Sequence, residues 1–447
     1  MSIALFLRNN LKNIPAFIGR EINRLPYSFR PGLSSIYKAR KKEIELYEKY
    51  SAEEKQFFIF NRLKAIVKYS YNNIPFYKEY YDKYGFNPDD LTSFNDISSI
   101  PIVTKIILNE YNVEQRSTNT PGRYIVNTGG SSGTPFNFYI EPNSMGHEWA
   151  HMHTIWEKLG YNSSDLKLNF AGRSDLKKEI IKYDIIRNSF LIDLYSDNRK
   201  IAEKLKKIAR RYPIKYLHGY PSSLYEFSLY CNEEDKELKE LLSKNLVGAF
   251  LGSEFPYPKY RDMIENTFDI KTISWYGHTE RCVLAYEKKE SFLYEPFQTY
   301  GYTEAISNVD KTEYNLVSTS YYNFASPLIR YNTEDTISDI TVNDSILNSF
   351  KIKKGRAGEF IIDKNGKKIN LTGLIFGRHH DLFNYSNFIQ VKQIEKGKIE
   401  IHFVSDLLNQ EKAMQLFDKQ NLDLDISFIK NKEPFRSISG KVNLLIR

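Results

Sequence analysis

Between about residue 123 and residue 300 the chain alternates helical segments of about 10 to 20 residues with short apolar runs bounded by turn residues, and this alternation constrains the fold more than any other feature. The runs are Arg123–Asn127, Leu166–Ala171, Leu246–Leu251 and Ile270–Tyr276, with helical stretches at Ser144–Leu159, Arg199–Arg211 and Ser222–Tyr230. Short strands that are apolar on both faces need helices on both sides, so the pattern predicts an α/β architecture. Upstream, Ile36 to Tyr71 contains no Gly or Pro and spaces its apolar residues as helices do. Asn72-Asn73-Ile74-Pro75 breaks that run, and a turn-rich stretch extends to Pro101.

Beyond about Tyr300 strands dominate. The final stretch reads as a strand at Glu359–Asp363, a turn at Asn365-Gly366 and a strand at Lys368–Leu371. Hairpin strands at Phe388–Glu395 and Lys398–Val404, a helix from Asp406 to Lys419 and a strand at Leu424–Ile429 follow. This predicts a small α+β domain after a boundary near Lys354–Gly358: residues 1–355 form a large multi-layer body and 356–447 a cap. A chain of 447 residues that is 41% hydrophobic supports two or three domains and a substantial core.

Charge and cysteine content narrow the function classes. Lys and Arg number 63 against 55 Asp and Glu, a net +8 that suits polyanionic small molecules, and no dense basic stripe argues for nucleic acid. Cys231 and Cys282 form no ligand cluster or disulfide framework, as expected for a cytoplasmic protein. The start has only a short apolar run, Ile3 to Leu7, and does not read as a secretory signal. No stretch is long enough for a transmembrane span. Ile3, Phe6, Leu7, Leu11, Ile14 and Phe17 could form an apolar helical stripe with Arg8, Lys12 and Arg20 outside it. That permits peripheral membrane contact, although packing onto the protein's own body is the plainer reading.

Five passages carry chemistry. Thr128-Gly129-Gly130-Ser131-Ser132-Gly133-Thr134-Pro135 directly follows a strand. Its glycines let backbone N–H groups converge and its hydroxyls surround them, which makes an anion nest suited to phosphates. Trp275-Tyr276-Gly277-His278-Thr279-Glu280 closes an apolar run and can place a ring, a close backbone approach and a metal-binding carboxylate at one strand end. Asp335 ends Pro327-Leu-Ile-Arg330-Tyr-Asn-Thr-Glu-Asp335, where a carboxylate could grip a vicinal diol. Gly355-Arg356 stands at the domain boundary, and Ser437-Ile-Ser-Gly-Lys441 could extend a lysine into a site as a mobile point charge.

In this order the five passages resemble the signature series of the adenylate-forming enzymes, the superfamily of acyl-CoA synthetases and firefly luciferase. The likeness is closest to the phenylacetate-CoA ligase and CapK-type branch, whose CapK members are associated with capsular polysaccharide genes. Asn72-Asn-Ile-Pro-Phe-Tyr77 with Ile100-Pro-Ile-Val-Thr-Lys105, His218-Gly-Tyr220-Pro-Ser-Ser-Leu224 and Gly252-Ser253-Glu254 carry that closer resemblance, which spans about residues 60 to 443. It implies an ATP-dependent, AMP-forming ligase that adenylates a carboxylic acid and passes the acyl group to a thiol or amine: CoA, a carrier protein or an amino sugar; the polar His147 and His151 expected at the acyl pocket would favour a small or functionalised acid.

By the same resemblance, Thr128 to Thr134 would cradle the β- and γ-phosphates, Glu280 would hold Mg²⁺ and Thr279 would lie near the α-phosphate. Tyr276 and Gly277 would meet the adenine, Glu254 would line the nucleotide pocket and Asp335 would bind the ribose. Arg356 would stand at a hinge and Lys441 would neutralise charge at the α-phosphate. The acyl pocket would lie between Tyr220, Gly252 and Ser253 and the helix carrying His147 and His151. The sequence departs from the family pattern at Phe136, where a lysine is usual, at Gly129 and at Gly358.

Two other readings compete. His147-Glu-Trp-Ala-His151, with His153 nearby, fits the H-E-x-x-H zinc-hydrolase pattern. A catalytically silent, adenylate-binding scaffold of a glycan assembly complex is the other; the joint presence of Lys441, Glu280 and Asp335 argues against it.

Overall fold

The structure, a computed structural model, describes residues 14–29, 34–129, 135–170, 176, 179–194, 196–307, 314–352, 360–371, 374–375, 382, 385–386, 388–435 and 444–446. The first helices are α1 (Ala16–Asn23), α2 (Ser34–Tyr47), α3 (Ala52–Asn73), α4 (Pro75–Lys83) and α5 (Lys105–Asn109). Ser51 and Glu54 form a capping box that starts α3, which is why the helical stretch from Ile36 to Tyr71 divides in two. Pro75, read from the sequence as a turn signal, instead occupies the first turn of α4, where its missing N–H costs nothing. Phe76, Tyr77, Tyr80 and Tyr81 of α4 are buried.

The α/β region follows as β1 (Tyr124–Gly129), β2 (Pro135–Ile140), α6 (Ser144–Trp156), β3 (Leu166–Phe170), β4 (Ile181–Asp184), β5 (Ser189–Ile192) and α7 (Asn198–Arg211). It continues with β6 (Ile214–Gly219), α8 (Pro221–Glu233), α9 (Lys236–Ser243), β7 (Gly248–Leu251), α10 (Pro258–Phe268), β8 (Lys271–Gly277), β9 (Leu284–Tyr286) and β10 (Glu295–Pro296). The main sheet has the order β10-β9-β8-β7-β6-β3-β5-β4. Its centre, β5, β3, β6, β7 and β8, is parallel, and β4, β9 and β10 add antiparallel edges.

Alternating side chains send this sheet into two cores, as burial on both faces requires. Leu168, Leu217, Ala249 and Leu251 share one core with Leu205, Leu224, Leu238 and Ile264 of helices α7 to α10. Tyr216, Phe250 and Ile273 face the other way, against Ala150, Ile155 and Trp156 of α6.

An antiparallel sheet of β11 (Gly301–Ser307), β12 (Tyr314–Ser320), β13 (Tyr331–Asn343) and β14 (Ile346–Ile352) completes this part of the chain. The C-terminal elements are β15 (Phe360–Ile362), β16 (Lys368–Asn370), β17 (Phe388–Glu395), β18 (Lys398–Val404), α11 (Gln410–Leu416), β19 (Asp425–Lys430) and β20 (Leu445–Ile446). Helix α11 is shorter than Asp406–Lys419 because Ser405 Oγ accepts the N–H groups of Leu407 and Leu408, holding them in a turn, and Asn409 caps the helix. Among the described residues, the C-terminal core is built from Ile361 to Leu444, with Leu194 packed against it. Lys367 Nζ donates to the carbonyls of Leu194 and Ser196, and Asn421 Nδ2 to Asp193, so this unit rests on the segment between β5 and α7.

Candidate active site

The parallel strands end in register: Phe170 pairs with Gly219 and Gly219 with Leu251, which pairs with Ser274. Gly219 must lack a side chain, because a Cβ there would lie 2.5 Å from the Phe170 carbonyl oxygen. Tyr220 follows, its N–H bonded to that same carbonyl at 3.2 Å, and it starts α8. Past β7, Ser253 takes a left-handed conformation (φ 67°) and turns the chain so that Glu254 is buried. The carboxyl edge of the sheet therefore carries Tyr220, Gly252, Ser253, Glu254, Tyr276 and Gly277, the position at which α/β sheets bind ligands. Burial, and after it the Glu254 charge, raises the pKa of Tyr257 and of Tyr260 in α10 and its approach.

Tyr276 reaches across to β13. Its hydroxyl donates to Asp335 Oδ2 at 2.5 Å, and burial together with that carboxylate pushes the phenol well above its ordinary range. A bulge aims Asp335 there: β12 pairs Val317 with Asn332 and Asn315 with Thr336, so Thr333, Glu334 and Asp335 stand opposite Leu316 alone. Glu334 takes the strain with φ 63°, and the Asp335 N–H bonds to Thr333 Oγ1 at 3.3 Å.

Beyond β8, Thr279 is exposed and Glu280 is buried. Burial alone would raise the Glu280 pKa, but His278 and the charge of Lys105 outweigh it and hold the carboxyl at about 2. His278 Nδ1 lies 3.2 Å from Glu280 Oε2 without the alignment of a hydrogen bond. Burial disfavours the imidazolium, yet Cys282 and Glu280 push His278 well above the usual imidazole value. An ionised carboxylate beside an exposed threonine fits a hard divalent cation such as Mg²⁺, which takes one or two protein carboxylates and completes its shell with water and phosphate oxygens.

Tyr331 gathers these parts. Burial is the main cause of its raised pKa, followed by the charges of Glu280, Cys282, Glu334 and Asp335. Its ring stacks on Phe136 at 6.2 Å and 13°. Phe136 is paired with Thr128 at the base of the β1–β2 hairpin, and Gly129 pairs with Pro135. Thr128 and Gly129 are thus strand residues that lead into the glycine-rich turn. Val103 makes a parallel bridge to Tyr331, which brings the Ile100–Lys105 passage to the same place. Gly130, Ser131, Ser132, Gly133 and Thr134, together with Arg356 and Lys441, lie outside the described residues.

No family model matches the chain. It is 25% identical to the protein CapK of Staphylococcus aureus over 344 residues, 74% of each chain. Over 87 residues, 20% of each chain, it is 33% identical to phenylacetate-coenzyme A ligase of Escherichia coli K12. Crystal structures of 2-hydroxyisobutyryl-CoA ligase share the fold, with TM-scores of 0.53 and 0.55, at 15% and 14% identity over 89% of this chain and 90% of theirs. In sequence the chain is thus similar to the CapK and phenylacetate-CoA ligase branch of the adenylate-forming superfamily, and in fold to an acyl-CoA ligase.

In this adenylate-forming fold His147 and His151 do not face the sheet. His147 stacks on Tyr322 at 3.5 Å, and burial lowers its pKa to about 2. His151 bonds through Nε2 to Thr299 Oγ1 at 2.9 Å and through Nδ1 to the His147 carbonyl; burial lowers its pKa to about 3. Glu148 accepts the Tyr300 hydroxyl. The H-E-x-x-H side chains thus diverge to separate partners, and among the described residues no group of three or more His, Cys, Asp and Glu could hold a metal ion.

Instead, α6 presents Trp149, His153 and Trp156 to the sheet, around a cavity of about 20 Å³ that Lys167, Asn169 and His218 also line. Trp275 lies over Gly252, where a Cβ would come within 2.4 Å of the indole. His278, Lys105, Trp275 and Tyr331 have no role in the sequence reading, yet all stand within or beside its quoted motifs, and that adjacency was the available signal.

Proposed function

We propose that the chain is an ATP- and Mg²⁺-dependent, AMP-forming carboxylate ligase. In the first step a carboxylate oxygen attacks the α-phosphorus of ATP, the bond to the β-phosphate oxygen breaks, and acyl-AMP and pyrophosphate result. In the second a thiol or amine attacks the acyl carbon, loses its proton and releases AMP. The observation that carries this reading is the meeting, around Tyr331, of Glu280, Asp335 and the base of the glycine-rich hairpin. Such chemistry needs positioning and charge neutralisation more than covalent help.

Asp335 would take the ribose hydroxyls in exchange for, or alongside, the Tyr276 hydroxyl, and Tyr276 and Gly277 would bound the adenine, with Glu254 lining its pocket. Thr128 to Thr134 would hold the outer phosphates, with Thr279 beside the α-phosphate. Mg²⁺ on Glu280 would supply the Lewis acidity that draws charge from the phosphate oxygens. Lys441 would neutralise the incoming carboxylate and the α-phosphate, and Arg356 would serve the hinge. Residues 1–355 would then bind ATP and the acid, while 356–447 would swing to bring Lys441 in and take it out again.

A small acid suits this site. Trp156 stacked on Phe250 at 4.8 Å and Trp275 seated over Gly252 fill the space between α6 and the sheet, which leaves no room there for a long acyl chain. The acceptor could be CoA, a carrier thiol or an amino sugar, and the CapK likeness favours a place in surface polysaccharide decoration. A matrix of small and long acids against thiol and amine acceptors, read by AMP and pyrophosphate release, tests the reading. Release dependent on one small acid supports it; ATP binding with no release across the matrix rejects it.

A further inference from the structure

Helix α1 is docked with its apolar face outward. Gly19 and Asn23, four residues apart, are its buried positions. A Cβ on Gly19 would lie 2.4 Å from the Tyr183 ring, and Asn23 Nδ2 donates to the Gly19 and Ile185 carbonyls at 2.9 and 2.8 Å. On the other side Ile18 and Ile22, at i and i+4, are 43% and 45% exposed, and past the end of the helix Leu25 and Phe29 are 58% and 67% exposed. A helix that buries Gly and Asn while showing Ile to solvent inverts the usual economy of a globular surface.

A basic face adjoins it. Helix α7 reads NRKIAEKLKKIARR, with seven Lys and Arg and one Glu, so the chain does carry a basic stripe, contrary to the sequence reading, because helical spacing gathers these residues on one surface. Lys206 and Arg210 are engaged by Asp235 and Glu237, whereas Lys200, Lys204, Lys207 and Arg211 form an exposed stripe at i, i+4, i+7 and i+11. The two elements meet at Tyr212, whose ring carries Arg20 of α1 at 5.3 Å and Arg211 of α7 at 5.4 Å. Within residues 14–29 the charged side chains are Arg20, Glu21 and Arg24, and Arg24 pairs with Glu21 at 2.6 Å, which leaves the basic contribution of this segment to Arg20.

We propose that the outward side of residues 16–29 and the basic stripe of α7 form a surface that binds an anionic phospholipid bilayer. The apolar side chains would enter the headgroup boundary and the lysines would face lipid phosphates, the division of labour found in interfacial amphipathic segments. No helix among the described residues is long and apolar enough to cross a membrane, so attachment would be peripheral and reversible. Nucleic acid would use the stripe but not the exposed Ile and Leu, which is why a bilayer is the better match.

Flotation of the full chain with phosphatidylcholine vesicles, with and without phosphatidylglycerol, tests this. Binding is expected to the anionic vesicles, roughly tenfold or more above the neutral ones, and to fall with added salt. Ile22→Ser with Leu25→Ser, and separately Lys204→Glu with Lys207→Glu, should each reduce it roughly tenfold without changing the melting temperature, since neither pair touches the Gly19–Asn23 anchor. Three results would overturn the proposal: no flotation with anionic vesicles, flotation unaffected by both variants, or a dimer in sedimentation that the Ser variant dissociates while vesicle binding is absent. Because α7 variants also report on charge alone, a fold lost in the Ser variant still leaves the test decided. Retention on duplex DNA without vesicle binding would assign the stripe to nucleic acid and reject the bilayer.

Discussion

Asp335 illustrates how single residues are tuned here. Its Oδ2 accepts a short bond from a buried phenol, so Tyr276→Phe should lower stability by about 1 kcal/mol, read as a lower urea midpoint. Asp335→Ala should in addition weaken nucleotide binding roughly tenfold to a hundredfold by calorimetry, because charge-assisted bonds to the ribose disappear. Buried groups set opposing pH limbs, with Glu141, also raised to about 7 by burial, alongside Glu226 on one and His151 alongside His147 on the other, so each substitution removes one group's share. Glu226 is raised to about 7, chiefly by burial, so the fold retains a proton that the unfolded chain releases above pH 4.5. Stability from this group therefore falls as pH rises from 4.5 to 7, and Glu226→Gln should flatten that limb. His147, lowered to about 2 by burial, is neutral in the fold while the unfolded chain takes up a proton below pH 6.5. Its contribution is lost as pH falls from 6.5, and His147→Phe, which keeps the stack on Tyr322, should remove that loss. Urea midpoints across pH 4 to 8 would separate the two.

Among the elements, the β13 bulge and the end of β7 do most to shape the site. Gly252→Ala would drive a methyl group into the Trp275 indole, and a cost of about 1–3 kcal/mol is expected in denaturant melts. Trp275→Leu should recover part of it in the double variant, and additive losses would show that the two positions are not coupled. The strands carrying Tyr276 and the glycine-rich hairpin were legible because apolar runs end in chemistry-bearing turns. Helix α4 was not, since the signal of Pro75 is the same for a turn as for a helix start. The β4–β5 hairpin was hidden because its reversal rests on Asn188 in a left-handed conformation (φ 46°), with neither Gly nor Pro to mark it. The facing of α6 was also misjudged: a 13-residue helix with His147 and His151 on one side and Trp149, His153 and Trp156 on the other offers two plausible inner faces, and only the tertiary packing chooses. Lys105 and His278 were visible as residues, but their effect on Glu280 depends on a buried meeting of distant segments.

For the whole molecule, the motif order predicted a large body and a C-terminal cap, and the observed core from Ile361 to Leu444 supplies a physical basis for that division as a proposal. The net +8 also gains a distribution, since α7 alone carries seven basic residues against one acid. The central claim is adenylation of a carboxylic acid by a lysine-bearing cap. Acid-dependent exchange of labelled pyrophosphate into ATP, measured side by side for the wild type and Lys441→Ala, tests it most directly. The account predicts exchange with a small acid in the presence of Mg²⁺ and a loss of about 10²-fold or more in the variant. Equal exchange in both proteins, or ATP binding with no acid that supports exchange, would contradict it.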